Sequence, residues 1–277
     1  MSKLEFDASA DAHEMARTLI GTFAGNVRAV LDVGCGSGAF LEQIAAMFRV
    51  PAWGIDPFAP QSSKGKITLL PLNAENISEL NRRFDLIYTV HALHHFQNIL
   101  AFFKGLQEVL SWSGRFVLVD WKKGAQTGIA ETYFDPNEIG QKLSNFNFSI
   151  LKQGQAGDNF YLVAQLKHRC LAVATDEQGS AIFPKMFGQA PYFDLYVLEN
   201  GRFTFLKRRR NIYQKTLQHE KTLDVYNEVP ECQALLARRI GRKGQQRLHE
   251  KGVTLFFAEG SVTRALQTVA ERERQPA

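Results

Sequence analysis

Ala29-Val30-Leu31-Asp32-Val33-Gly34-Cys35-Gly36-Ser37-Gly38-Ala39-Phe40 is the stretch whose reading decides the fold. A short apolar run, Ala29 to Leu31, meets Asp32 and then glycines at alternate positions, Gly34, Gly36 and Gly38. Behind them Phe40, Leu41, Ile44, Ala45 and Phe48 recur at helical spacing, so the pattern predicts strand, glycine turn and helix. Glycine is needed where a backbone turns tightly and a ligand must approach with no Cβ in the way. The acid two residues before Gly34 and the Gly-x-Gly-x-Gly spacing separate this unit from the Gly-x-Gly-x-x-Gly dinucleotide fingerprint.

Working outward, Phe6 to Phe23 places Met15, Leu19, Ile20 and Phe23 on one face and predicts an amphipathic helix ahead of the first strand. Pro51 to Asp56 predicts a second strand ending in an acid, 24 residues after Asp32. A carboxylate at that strand end can accept both hydroxyls of a ribose. Ile67 to Leu72 predicts a third strand, followed by Asn73-Ala74-Glu75, and Phe84 to Val90 a fourth, followed by His91-Ala92-Leu93-His94-His95-Phe96. His91, His94 and His95 have no cysteine or carboxylate partner nearby in sequence, so neither a metal centre nor stoichiometric zinc is expected. A helix over Ile99 to Leu110, a Ser113-Gly114 turn, a strand over Arg115 to Trp121 and a helix over Pro136 to Leu143 come next. Two closing strands, Phe146 to Leu151 and Phe160 to Gln165, end this half.

The ordered set of glycine turn, Asp56, Phe84-Asp85-Leu86-Ile87 and Ala92-Leu93-His94-His95-Phe96 resembles the motifs of the class I S-adenosylmethionine (SAM)-dependent methyltransferases, over about residues 10–166. That resemblance implies an α/β fold with a Rossmann-like, mostly parallel seven-stranded sheet, and a leading helix that lids the cofactor site. It implies that Gly34, Gly36 and Gly38 hold the methionine portion of SAM and Asp56 the ribose. Asp32 would order the turn and meet the methionine amino group. The family usually has an acid at the position of Asn73, which with Ala74 would read the adenine; an Asn carbonyl can still accept that hydrogen bond. His94, His95 and Tyr88 are the candidates for a base, needed only if the methyl acceptor arrives protonated.

From Cys170 the pattern restarts. Strands are predicted over Cys170 to Asp176, Tyr192 to Leu198, Phe203 to Lys207, Ala234 to Arg238 and Val253 to Phe257. The Asn200-Gly201 pair predicts a hairpin. Gly241 opens a helix around Leu248, and Gly260-Ser261 caps a last helix over Val262 to Ala270. Ala-Val-Ala-Thr-Asp, Phe-Gly-Gln-Ala-Pro-Tyr-Phe, Arg-Ile-Gly-Arg-Lys-Gly and Ala-Glu-Gly-Ser-Val resemble the dinitrogenase iron-molybdenum cofactor biosynthesis domains, over about residues 168–270. The resemblance implies a smaller ribonuclease-H-like α/β fold that carries metal clusters. Family members often place a histidine directly before the Phe-Gly pair, where this chain has Met186, and a thioether is a poor substitute for imidazole on iron. Cys232 could offer a thiolate or sit as a small core residue.

Charge divides the chain in the same place. Residues 1–166 hold 14 Lys and Arg against 16 Asp and Glu, a net −2, whereas residues 167–277 hold 19 against 12, a net +7. Lys207-Arg208-Arg209-Arg210 and the group Arg238, Arg239, Arg242 and Lys243 would make an anion site if they faced one cleft. Nucleic acid is not the expected partner, because aromatic residues are not interleaved with these charges. Three widely separated cysteines, Cys35, Cys170 and Cys232, predict no disulfide framework and a reducing, cytoplasmic home. The start of the chain lacks the basic and apolar regions of a secretory signal, and no apolar run reaches the length of a membrane span. The reading is therefore two domains, 1–166 and 167–277. The expected activity is methyl transfer from SAM to a small-molecule acceptor, with a cofactor-carrier-like second domain. The alternative is a non-catalytic module in which SAM tunes binding of a metal cluster or an anionic partner.

Overall fold

A computed structural model describes residues 6, 11–23, 27–128, 132–215 and 221–274. It divides into two compact units, Met1–Leu166 and Lys167–Ala277.

In the first unit, α1 (Ala12–Gly21) precedes β1 (Val30–Val33), α2 (Ala39–Phe48), β2 (Ala52–Asp56), β3 (Ser62–Lys64), β4 (Ile67–Pro71) and β5 (Phe84–Val90). Then come α3 (Ile99–Val109), β6 (Leu110–Trp121), α4 (Pro136–Asn145), β7 (Phe148–Ala156) and β8 (Asn159–Leu166). The sheet order is β3-β4-β2-β1-β5-β6-β8-β7. From β4 to β6 all neighbours run parallel, and the β7–β8 hairpin closes that edge antiparallel. These are the seven strands expected, with β3 added as a short edge strand antiparallel to β4. All three β3 residues are exposed and polar or charged, so they carry no hydrophobic period to read. Residues 7–10 of the expected leading helix lie outside the described residues, and α1 itself begins at Ala12.

Successive strand residues alternate between two cores, as a pleated sheet covered on both faces requires. Leu31, Ile87 and Leu118 join Phe102, Phe103 and Leu106 of α3 on one side. Val30, Leu86, Tyr88, Val117 and Val119 meet Met15, Leu19 and Ile20 of α1 and Leu41 and Ile44 of α2 on the other. At the amino end of β5, Asp85 accepts from the Arg28 guanidinium and backbone N–H and from the Ser111 hydroxyl, pinning the loops before β1 and within β6. The Ser113-Gly114 turn is part of β6 rather than a break before it. Phe84 pairs with Leu110 and Leu86 with Arg115, so the residues between bulge out of the ladder. Gly114 fits that bulge because a Cβ there would lie 3.0 Å from the Phe84 carbonyl oxygen.

The second unit holds β9 (Arg169–Thr175), β10 (Tyr192–Glu199), β11 (Arg202–Arg210), α5 (Lys221–Asn227), β12 (Ala234–Ala237), α6 (Arg242–Glu250), β13 (Thr254–Phe257) and α7 (Val262–Arg274). Its sheet order is β11-β10-β9-β12-β13, antiparallel over the first three strands and parallel over the last three. This is the smaller α/β fold that follows the methyltransferase-type sheet. Ala172, Phe193, Leu195 and Leu235 pack with Val225 of α5 and Leu248 of α6. Contrary to the sequence expectation, Cys170 and Cys232 form a disulfide. β9 and β12 are neighbours in register, Ala234 opposite Leu171, which brings two cysteines separated by 62 residues to a Cα distance of 4.3 Å. Cys232 is therefore no free thiolate, and the cysteine argument for a reducing compartment loses its premise.

Candidate functional site

Strand order reverses at β1, which has β2 on one side and β5 on the other. The carboxyl ends of β1 and β5 thus border the crevice where open α/β sheets bind ligands. The glycine turn leaves β1 at that point. The Gly34 and Cys35 N–H groups both donate to the Ile55 carbonyl, at 2.8 and 3.1 Å, tying the turn to the end of β2. Gly34, at φ +82°, lies so close to Ala92 that a Cβ would overlap the alanine methyl. Gly38, at φ +81°, caps α2 in a left-handed conformation. Gly36 differs from both: at φ +51° a Cβ would meet nothing within 4 Å. Its N–H donates to Asp56 Oδ2 at 3.1 Å, and the Phe58 N–H donates to Asp56 Oδ1 at 2.8 Å. The turn and the second-strand acid are one construction.

Asp32 lies beneath the turn, 4% exposed. Burial raises its pKa to about 7, opposed by the Tyr88 hydroxyl and assisted by the charge of Asp56. Tyr88 is fully buried, and burial with the neighbouring Asp32 charge lifts its phenol well above the ordinary value. The Tyr88 hydroxyl feels the Asp32 charge but reaches hydrogen-bond geometry with no described atom. A phenol held protonated in this way is not a base near neutral pH. Burial and the two acids push the Cys35 thiol up to about 12, which keeps it unreactive. Asn73 and Ala74 follow β4, two and three residues beyond Pro71, the register partner of Asp56. Asn73 is exposed and Ala74 buried.

On the other side of the crevice stand the histidines. His94 Nδ1 lies 2.7 Å from Asp120 Oδ1, with side-chain exposures of 2% and 0%. The His94 ring stacks on Trp121, 4.7 Å between centroids at 21°, and contacts the exposed His95 at 4.0 Å. His91 adopts φ +49°, and its Nε2 meets Asn159 Oδ1 at 2.6 Å. A left-handed non-glycine residue costs backbone strain that its surroundings must hold, here with the His91 N–H on the Val119 carbonyl at 2.9 Å. Sequence reading missed Asp120, Trp121 and Asn159. The available signal was an acid at the carboxyl end of the strand next to a histidine-rich loop.

In the second unit several members of the two basic groups are already held by carboxylates. Arg208 donates from Nε and Nη2 to Asp194, whose side chain is 2% exposed. Arg209 is forked onto Glu231, which Lys207 also meets, and Arg238 pairs with Glu259. Arg239, Arg242 and Lys243 are exposed and make no ion pair with described residues. Met186, 40% exposed, bridges to Arg239, and its methyl would lie 3.6 Å from a Cβ at Gly241. That neighbourhood offers a thioether and cations, and Cys232 is bound to Cys170, so these residues do not form a ligand set for an iron cluster. No group of three His, Cys, Asp or Glu among the described residues could hold a metal ion. A broad open groove of about 870 Å³ runs between α7 and the β10–β11 hairpin, lined in part by Tyr196, Phe203, Leu266 and Gln267. It contains no histidine or cysteine, so it carries no nucleophile or base of that kind.

Fold and crevice together define an α/β protein whose glycine turn opens on the crevice at the end of β1. Residues 8–165 match the methyltransferase domain family, and the chain belongs to it. Residues 168–272 match the dinitrogenase iron-molybdenum cofactor domain. Among curated proteins, the tRNA U34 carboxymethyltransferase of Idiomarina loihiensis is 30% identical over 104 residues, 33% of this chain and 32% of that one. The chain thus spans about a third of that relative's length. Among solved structures, the 1,6-didemethyltoxoflavin-N1-methyltransferase of Burkholderia thailandensis superposes with a TM-score of 0.48 at 18% identity, over 57% of this chain and 79% of that one. An S-adenosylmethionine-dependent methyltransferase of Clostridium acetobutylicum gives 0.48 at 13%, over 57% and 93%. No helix among the described residues is long and apolar enough to cross a membrane.

Proposed function

We propose that the first unit transfers a methyl group from SAM to a small-molecule acceptor. The observation that carries the reading is the Asp56 carboxylate clamped on the Gly36 N–H, beside a glycine whose missing Cβ opens onto free space. A side chain at residue 36 would fill that space, whereas a nucleoside with its methionine tail could enter it. Gly34, Gly36 and Gly38 would face the methionine portion, Asp56 the ribose hydroxyls, and Asn73 with Ala74 the adenine. Asp32 would meet the amino group from below the turn. When bound, SAM supplies a methyl already activated on a sulfonium, so the chain's own task is to align the acceptor and exclude water. Calorimetry with S-adenosylhomocysteine (SAH) tests the site. Parent protein should bind in the micromolar range, and Asp56→Ala about 10- to 100-fold more weakly, the scale of lost hydrogen bonds to a charged group. An Asp56→Ala variant binding as tightly as the parent defeats the assignment.

The acceptor is tested separately, by SAM consumption with a low-molecular-weight cell extract and with bulk RNA. Consumption only with RNA would overturn the small-molecule part. For the second unit we propose weak carriage of an anionic ligand through Arg239, Arg242 and Lys243, three neighbouring cations that make no ion pair with described residues. Binding of inorganic phosphate should weaken as salt rises, since screening acts over about 10 Å at 0.1 M. Anaerobic reconstitution that yields a stable brown protein would oppose it.

A further inference from the structure

The methyl-donor residues lie on the β2–β1 side of the crevice, and across it the chain holds a buried pair that this assignment leaves unused. His94 follows β5, and Asp120 ends the adjacent strand β6. Asp120 Oδ1 accepts the Trp121 backbone N–H at 2.7 Å and faces His94 Nδ1 at 2.7 Å. An ionised carboxylate only accepts, so Nδ1 is assigned the proton and donates it, which leaves the lone pair on Nε2. The Trp121 ring stacked on the imidazole and the His95 ring against it fix its plane. Asp120 Oδ2 is buried with no hydrogen-bond partner among the described residues. An orphaned carboxylate oxygen is a cost that a fold avoids where only packing is at stake, and such groups gather at functional sites. The pair also sits close to the donor site, because Ala92, two residues before His94, packs directly on Gly34.

The other titratable groups nearby are otherwise engaged. His91 Nε2 is bound to Asn159, and the Tyr88 phenol is held protonated against Asp32. His13 meets Asp11 at 3.9 Å and packs edge-on against Phe40. His95 is exposed beside His94.

We infer that His94 Nε2 takes the proton of the methyl acceptor, with Asp120 as its positioning residue. The acceptor then belongs to the class that must shed a proton at the attacking atom, a hydroxyl or a ring N–H, rather than a thioether or a free amine. This rests on the methyl-transfer reading above. The acceptor's lone pair forms the bond to the methyl carbon, and the carbon–sulfur pair leaves on sulfur as the neutral thioether. The acceptor proton passes to Nε2, giving an imidazolium that Asp120 balances, and afterwards goes to water.

The test uses the full chain with ¹⁵N-labelled histidine, with and without SAH. Long-range ¹H–¹⁵N spectra near neutral pH, assigned with His94→Gln, should place the proton on Nδ1 of His94. Diethyl pyrocarbonate should carbethoxylate His94 at Nε2 in the SAH-loaded protein, read by peptide mass spectrometry. Asp120→Leu should slow that modification about tenfold or more, the scale on which partners of a functional histidine act. Asp120→Asn serves as the second variant if the leucine protein does not fold, and should be slowed in the same direction. A proton on Nε2, an inert His94 in the SAH complex, or unchanged reactivity in both Asp120 variants overturns the inference. SAH calorimetry on the same samples separates the two levels. Binding retained with an inert His94 sinks the base and leaves methyl transfer standing; no SAH binding by the parent sinks the reading beneath it.

Discussion

Asp32 is the residue where electrostatics and the proposed donor site meet. Its folded pKa of about 7 is raised by burial from 3.8. Below pH 3.8 the group is neutral folded and unfolded, so it affects neither state differently. Between about pH 4 and 7 the unfolded chain ionises while the folded one keeps its proton, so the free protein loses stability as pH rises, by roughly 4 kcal/mol at most. Above pH 7 this contribution is flat. Asp32→Asn should abolish that slope in denaturant titrations, and a variant with the parent's pH dependence would show that burial does not act as argued. SAH carries an ammonium that favours the ionised acid, so its affinity should rise with pH up to about 7 and then level off. Proton release measured by calorimetry in buffers of different ionisation heat checks the sign.

Among elements, the glycine turn separates two jobs that its spacing alone cannot. The missing Cβ of Gly34 leaves room for Ala92, whereas that of Gly36 faces open space, which the proposed site would fill with ligand. Gly34→Ala should therefore cost stability, about 2–4 kcal/mol from left-handed strain plus overlap. Gly36→Ala should cost only about 1 kcal/mol yet abolish SAH binding. Equal stability losses in urea for the two variants would refute the distinction. The sequence made the turn legible because strand, glycines and helix are contiguous. It hid the His94–Asp120 pair, because these residues are 26 apart and meet only through the parallel pairing of β5 and β6. It also hid the partner of Arg208. The Asn200-Gly201 hairpin was readable, but a register shift between Leu195 and Tyr196 decides that Asp194, and not its neighbour, lies opposite Arg208. Asp194 is buried, so Arg208→Ala leaves a carboxylate without its fork and should destabilise the second unit by about 1–3 kcal/mol. Restoring neutrality with Asp194→Asn on top of Arg208→Ala should recover part of that loss. Phosphate binding, if it runs through Arg239, should be untouched by either change.

At the scale of the whole chain, each unit has its own core. Phe84, Phe102, Phe116 and their neighbours serve the first, and Phe187, Phe193, Leu235 and Leu248 the second. The sequence revealed this division through the motif restart near Cys170 and the −2 and +7 balance. What charge counting could not show is that most of the arginine run at the end of β11 is consumed by Asp194 and Glu231. A net charge says nothing of which cations are already paired. Independent cores predict that calorimetric unfolding resolves two transitions. SAH binds only residues of the first unit in the proposed site, so at about 100 times its dissociation constant it adds about 2.7 kcal/mol to that unit alone. For a unit of that size the shift is roughly 5–10 °C, with the other transition unmoved. Asp56→Ala should cut the shift to about 1–5 °C without altering the second transition. If the chain instead unfolds in one step that SAH moves as a whole, the two cores share a single cooperative unit, and binding at the glycine turn is felt throughout the second sheet.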